Sequence, residues 1–239
     1  MDNARLWPSL LVASALTLVC AVAAGVAAGS ASGELTRGPT AAELRAAAER
    51  EVAERWRTWA AGRVFPSSLA YSAEQGGRER ARRIGISPRT TCHDAVDAEA
   101  AAALAAAGCR AVLRATYIDA LRGVLVTVGV VALPDKQRAA RARSAFPGSG
   151  APVPGLRPLA FRGTVSDRFT PAVRQSGSVR QAGPYLVLTT AGQVDGRPAS
   201  KSGEQRPAVF AFATEISERV LADLSRPRMP NCAAEEWRC

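Results

Sequence analysis

The stretch Val124-Leu125-Val126-Thr127-Val128-Gly129-Val130-Val131-Ala132-Leu133 decides the fold of this chain. Its apolar residues fall on both parities and valine predominates, which is typical of a central strand covered on both faces. At ten residues it is too short to span a bilayer, which takes about 20 residues. The sequence therefore predicts a sheet with this strand at its centre.

The residues just before this strand alternate between apolar and polar types, as in a strand with one solvated face. The apolar set is Ala111, Leu113, Ala115 and Tyr117, and the polar set is Arg110, Arg114 and Thr116. Residues Asp119–Gly123 have the length of a hairpin loop and end in glycine. The two strands are therefore predicted to pair as a hairpin.

Further segments extend the pattern in both directions along the chain. Strands are predicted over 67–71, 159–165 and 185–190, and helices over 41–61, 100–107, 136–146 and 209–224. Two segments carry weaker signals, namely the charged, weakly helical 74–84 and the basic 167–184, interpreted as a mobile loop. Asp94, Asp97 and Glu99 are interpreted as helix-capping residues. This order of elements predicts an α+β fold, with one small antiparallel sheet and its helices on one side.

The N-terminus contains an uncharged apolar run from Leu6 to Gly33. The run is long enough to cross a bilayer. It is interpreted as a retained transmembrane anchor because of its length, whereas small residues at 28–32 keep a cleaved signal peptide as the alternative. The expected organisation is anchor or signal peptide at 1–33, linker and stalk helix at 34–66, α+β domain at 67–226 and C-terminal tail at 227–239. The expected location is the cell membrane, as a single-pass protein with its main domain extracytoplasmic.

The predicted stalk helix begins with a capping box formed by Thr40 and Glu43. Its apolar residues form one stripe at helical spacing, made of Leu44, Ala48, Val52, Trp56 and Trp59. Trp56 and Trp59 have two interpretations. They either dock the helix on the domain or contact a partner protein in the membrane.

Four cysteines follow the apolar run, an even number that is typical of exported, disulfide-bonded domains. Local loops favour the pairs Cys92–Cys109 and Cys232–Cys239, with free thiols as the alternative. A zinc site is disfavoured by the cysteine spacing and by the presence of a single histidine, His93.

The chain has 31 basic and 21 acidic residues, which gives a formal net charge of +10. Only Lys136 and Lys201 are lysines, so the arginine excess indicates a GC-rich genome as readily as a polyanionic partner. Nucleic-acid binding is not expected of an exported protein. Arg110, Arg114 and Arg122 are interpreted as part of a solvated sheet face, and the alternative is that they are candidate anion contacts.

The sequence contains no Walker loop, dinucleotide-binding glycine fingerprint, GxSxG elbow or HExxH motif. No catalytic residue and no cofactor is therefore predicted. A hydrolase that uses carboxylates such as Asp119 and Asp167 remains an alternative, since a carboxylate pair with long spacing leaves no recognisable pattern.

Three features carry a family resemblance: the apolar N-terminal run, the stretch Arg57–Pro66, and Gly108–Asp119 leading into Thr127–Val130. In these features the chain resembles the uncharacterised single-pass envelope proteins of GC-rich actinobacteria. The resemblance covers most of the chain, implies a location at the cell envelope, and supplies no catalytic residues. The main hypothesis is a non-enzymatic binding or adaptor module in an envelope assembly, with an envelope protein as its expected partner. The alternatives are a cell-envelope hydrolase and a sensor of anionic lipid or polymer.

Overall fold

The computed structural model of the chain describes residues 6–148, 150–198, 207–228 and 230–231. The chain divides into two compact units, one ending at Arg45 and the other beginning at Ala46. The second unit contains the sheet and the helices that cover it.

Helix α1 (Leu6–Thr36) corresponds to the apolar run. Its segment Val12–Ser30 has a mean hydropathy of 2.1 and no buried residue, so it is long and apolar enough to cross a membrane. The hydroxyls of Thr17 and Ser30 donate to the carbonyl four residues earlier, at 2.8 and 2.9 Å. These polar groups are therefore satisfied inside the helix, as a hydrocarbon environment requires.

Helix α2 (Ala41–Thr58) begins with the predicted capping box, which the structure confirms. The Thr40 amide donates to Glu43 Oε2 at 2.7 Å, and the Glu43 amide donates to Thr40 Oγ1 at 3.3 Å. Hydrogen bonds from Arg37 and Thr40 hold the pKa of Glu43 well below its usual range.

Six strands form one antiparallel sheet in the order β1-β2-β3-β4-β6-β5. The strands are β1 (Ser68–Ser72), β2 (Arg78–Ile86), β3 (Ala111–Ile118), β4 (Val124–Ala132), β5 (Ser176–Ala182) and β6 (Tyr185–Gln193). The valine-rich stretch Val124–Leu133 contains β4, and all nine residues of that strand are buried. The α+β fold and the central position of β4 are therefore confirmed.

Among the described residues, five further α-helices pack around the sheet, namely α3 (Ala61–Val64), α4 (Cys92–Ala95), α5 (Ala98–Ala106), α6 (Lys136–Arg143) and α7 (Ala211–Ser225). Helices α2 and α7 cover the face of β4 that carries Val126, Val128 and Val130. Helices α5 and α6 cover the opposite face, which carries Val131. The prediction that the helices lie on one side is wrong, because a strand that is apolar on both parities needs cover on both faces.

Helix α7 packs against β6 and against both edge strands, β1 and β5. An open flat sheet cannot bring its two edges to one helix. The sheet therefore curls around α7, whose buried residues include Phe212, Ile216, Val220 and Leu224.

Three segment predictions are wrong. Residues 74–84 were expected to be weakly helical, but most of them belong to β2, and the basic segment 167–184 contains β5. Both strands carry few large apolar residues, and their pairing within the sheet outweighs their weak local preferences. Residues 159–165 were expected to form a strand but have irregular structure.

These residues belong to a long connection between α6 and β5, residues 147–173, which we call the crossing segment. It covers the face of the sheet that carries Val131, which we call the second face, at positions where glycines leave room for it. A β-carbon added to Gly129 would lie 2.5 Å from Leu156, and one added to Gly85 would lie 2.6 Å from Phe161. The missing side chains thus allow close approach of the crossing segment.

The crossing segment is also held by partly buried hydrogen bonds. Leu159 donates its amide to Thr127 Oγ1 at 3.0 Å, and its carbonyl accepts from Thr116 Oγ1 at 2.7 Å. Asp97 Oδ2 accepts from the Gly155 amide at 2.9 Å and from Arg174 Nη1 at 2.7 Å. The Asp97 side chain makes no capping bond to α5, so its interpretation as a capping carboxylate is corrected.

The predicted Cys92–Cys109 disulfide is present and joins the start of α4 to a residue that lies two positions before β3. Cys20 is a free, exposed cysteine on α1. The predicted Cys232–Cys239 pair lies outside the described residues.

Candidate anion-binding site

Arg114 lies in the middle of β3, opposite Gly129 of β4. Its face of the strand was expected to be solvated, but β3 is buried along most of its length and Arg114 is only 8% exposed. Its Nε atom is buried without a hydrogen-bond partner, and within the described residues the guanidinium forms no hydrogen bond or ion pair. The sheet therefore holds a positive charge that the described part of the chain leaves unpaired.

A second arginine, Arg89, is brought close to Arg114 by the segment that follows β2. Ser87 donates its amide to the Arg114 carbonyl at 2.9 Å. The Ser87 hydroxyl accepts from the Arg89 amide at 3.1 Å and donates to the Arg89 carbonyl at 2.9 Å. This local turn fixes the Arg89 backbone next to β3.

A third arginine, Arg157, is supplied by the crossing segment. Its amide donates to the Ala95 carbonyl at 2.8 Å, and the preceding Leu156 forms an isolated antiparallel bridge with Val96. The crossing segment and α4 therefore position Arg157 together. The Arg157 and Arg89 side chains are both exposed, whereas Arg114 is buried.

Asp94 of α4 is the acidic group that acts on Arg114. Its Oδ2 accepts from the Thr91 hydroxyl at 2.8 Å, and its Oδ1 lies 2.8 Å from His93 Nε2. Both carboxylate oxygens therefore have local partners. Three arginines and one aspartate give this group of residues a formal charge of +2.

Burial lowers the pKa of Arg114, and repulsion from Arg157 and Arg89 acts in the same direction, while attraction to Asp94 acts against it. An anion between the three guanidinium groups would relieve both costs, because it would pair the buried charge and screen the repulsion. Guanidinium groups bind planar or tetrahedral oxyanions through paired N–H donors. The charge of this group is thus suited to a carboxylate or phosphate group.

The other two arginines of the predicted set lie elsewhere. Arg110 precedes β3 and donates its amide to the Ala132 carbonyl, whereas Arg122 lies in the turn at the other end of the β3–β4 hairpin. The strand between them spans roughly 26 Å at about 3.3 Å per residue. Of the three predicted contacts, the site contains only Arg114. Sequence reasoning missed Arg89 and Arg157, whose positions carry no local signal because distant parts of the chain bring them together.

Trp56 and Trp59 are partly buried and pack against the core formed with α7. The guanidinium groups of Arg55 and Arg63 lie over the Trp59 ring, 4.8 and 3.8 Å from its centroid. This packing is the arrangement that the docking interpretation predicts.

The carboxylates named for the hydrolase alternative have other surroundings. Asp119 Oδ1 accepts from the amides of Gly123 and Val124, at 2.8 and 2.9 Å, and so shapes the hairpin turn. Asp167 is exposed on the crossing segment, and the His93 side chain is 79% exposed. Among the described residues, no group of three or more His, Cys, Asp or Glu side chains is placed to hold a metal ion.

No protein-family model matches the chain, and no curated protein and no solved structure matches it.

Proposed function

We propose that this protein is a membrane-anchored, extracytoplasmic binding module without enzymatic activity, which recognises an oxyanion group on an envelope partner. The observation that carries the proposal is the unpaired, buried guanidinium of Arg114. The group recognised is a carboxylate or a phosphate, held between Arg114, Arg89 and Arg157. The proposal gives the adaptor hypothesis a defined contact site.

The other buried arginines in the described part of the chain all have partners. Arg55 is fully buried and donates to the Glu51 carboxylate. It also donates to the carbonyls of Asp223 and Leu224, at 3.0 and 2.9 Å. Arg174 is buried and pairs with Asp97. Leaving a buried charge without a partner costs several kcal/mol. Arg114 departs from this pattern, and a bound anion would supply the missing partner.

The location proposed rests on α1 and on the disulfide. Helix α1 supplies a segment long enough to cross a bilayer, and disulfides persist mainly in oxidising compartments outside the cytoplasm. Together they favour a single-pass protein with its disulfide-bonded domain outside. Protease protection of intact cells tests this placement, since the domain is expected to be cleaved without permeabilisation.

The binding site is tested on the full-length protein in maltoside micelles, whose head groups carry no charge. The arginine Nε–Hε NMR signals are followed while inorganic phosphate or acetate is added at constant ionic strength. We expect a saturable shift of the Arg114 signal in the unaltered protein. In Arg114→Lys, which keeps the charge but loses the paired donors, the remaining arginine signals are expected to shift much less.

Arg110→Gln and Arg122→Gln are matched controls, because each removes one arginine charge outside the site. Both are expected to bind phosphate like the unaltered protein. A linear, non-saturating response in all variants, or an equal loss in the controls, would show that net charge alone attracts the anion and would overturn the proposed function.

A further inference from the structure

The outer part of the sheet carries a second arginine arrangement, separate from the Arg114 site. Arg78, Arg80 and Arg82 occupy alternate positions of β2 and are all exposed. Alternate residues of a strand project from the same face at intervals of about 6.6 Å. The three side chains, which we call the arginine row, therefore form one row of evenly spaced positive charges.

The arginine row forms few hydrogen bonds or ion pairs with the described part of the chain. Arg80 Nε donates to the hydroxyl of Ser68 at 2.7 Å, a neutral partner, and no described residue bonds or pairs with the guanidinium groups of Arg78 and Arg82. Glu79, which lies between them in sequence, points to the opposite face and accepts from the Tyr71 hydroxyl. Glu79 therefore does not lie beside the arginine row, and it shares its face of β2 with Ala81 and Arg83.

The surroundings leave the row accessible. On the neighbouring strand β1, the residues opposite the row are Ser72, Ala70 and Ser68, all of them small. The row ends where the register of β2 shifts before Gly85, which Phe161 of the crossing segment covers. On β1 and β2, the second face is therefore a basic surface whose neighbouring side chains are small, next to the edge of the sheet.

We propose that the arginine row binds a linear polyanion, an extended chain of phosphodiesters joined by short carbon bridges. Phosphates separated by a three-carbon bridge repeat at an interval comparable to that of the row, so consecutive phosphates face consecutive arginines. Even spacing along one strand favours such a chain over a bilayer surface, whose mobile head groups have no fixed repeat. The polymer neutralises three charges without entering the protein.

The test measures the affinity of the full-length protein for a synthetic oligo(glycerol phosphate) as a function of salt concentration. Counterion release predicts a slope of log K against log[salt] of about −2 to −3 for three contacted phosphates, given 0.7–0.9 per phosphate. Each single Arg→Gln change in the row is expected to reduce the slope by about one. The triple variant is expected to lose at least tenfold in affinity at low salt.

A matched control removes the same number of charges from a different surface. Arg138, Arg141 and Arg143 are exposed arginines of α6, and their combined change to glutamine is expected to leave the slope unchanged. Changing the row to lysine is expected to retain most of the slope because the point charges remain. If the triple row variant does not fold, the single variants still give the stepwise change in slope.

Three results would overturn the inference: equal loss in the α6 control, binding of glycerol phosphate monomer as tightly as the oligomer, or binding of phosphatidylglycerol vesicles but not of the oligomer. The inference is independent of the proposed function. Arg114→Lys is expected to leave the affinity for the oligomer unchanged, whereas the row variants are expected to leave the Arg114 NMR response unchanged.

Discussion

Replacing Arg114 by methionine is expected to make the protein more stable while abolishing anion binding. Methionine keeps the length and apolar stem of the side chain but removes the unpaired charge from an 8% exposed position. Replacing buried charged groups by apolar ones of similar volume stabilises proteins by about 1–4 kcal/mol in favourable cases. We take the low end, about 1 kcal/mol, because Asp94 already offsets part of the cost at Arg114.

For a domain of this size, about 1 kcal/mol raises Tm by roughly 2–4 °C. The assay is thermal unfolding of the full-length protein in maltoside micelles, with and without phosphate. At a ligand concentration of 100 Kd, binding stabilises the native state by about 2.7 kcal/mol, which exceeds the gain from the substitution. The variant is therefore expected to melt later than the unaltered protein without phosphate, and earlier when phosphate is present.

Arg174→Met is the matched control, since Arg174 is equally buried but is paired with Asp97 at 2.7 Å. Breaking a buried pair leaves Asp97 uncompensated and is expected to cost about 3–5 kcal/mol. The same chemical change is thus expected to have opposite signs at the two positions. If Arg114→Met melts earlier without phosphate, or gains as much from phosphate as the unaltered protein, the reasoning about Arg114 is refuted.

Three further predictions concern the core and its cover, each measured by urea denaturation. Gly129→Ala is expected to cost about 1–3 kcal/mol, because the new β-carbon would lie 2.5 Å from Leu156, and Leu156→Ala should reduce that cost in the double variant. Cys92→Ser is expected to cost about 3 kcal/mol through loss of the disulfide, and Cys109 should then react with maleimide. Val128→Asp is expected to abolish folding, because an unpaired charge in the centre of β4 costs several kcal/mol.

Each of these has an outcome that contradicts it. Additive costs in the Gly129 and Leu156 double variant would show that the two residues do not meet. An unreactive Cys109 in Cys92→Ser would argue against the disulfide. A folded Val128→Asp variant would remove β4 from the core.

The centre of the sheet could be predicted because the apolar pattern of its own sequence indicates that it is buried. Strand β4 is apolar on both parities, and α7 repeats its apolar residues at helical spacing, so local patterns are sufficient for both. Strand β2 has the opposite character. Its exposed face is arginine and its inner face contributes Ala81 and Glu79, so its identity depends on the strands beside it rather than on its own composition.

The candidate site was predictable only in part, for a related reason. Arg114 stands out in the sequence as a charge within a strand, but Arg89 and Arg157 approach it from the segment after β2 and from the crossing segment. Their approach depends on the Ser87 turn and on the contact of Arg157 with Ala95. Contacts between residues this far apart in sequence have no periodic pattern to reveal them.

The crossing segment imposes an order of events on biosynthesis. A ribosome completes β4 at Ala132 before it has made Leu156, which covers Gly129, and Val173, at the end of the crossing segment. At about 5–20 residues per second, the second face of the β3–β4 hairpin remains uncovered for roughly 2–8 s, until the crossing segment has been synthesised. During that interval two nascent copies can pair through this uncovered face. Folding that is deferred until the crossing segment has emerged would avoid this encounter.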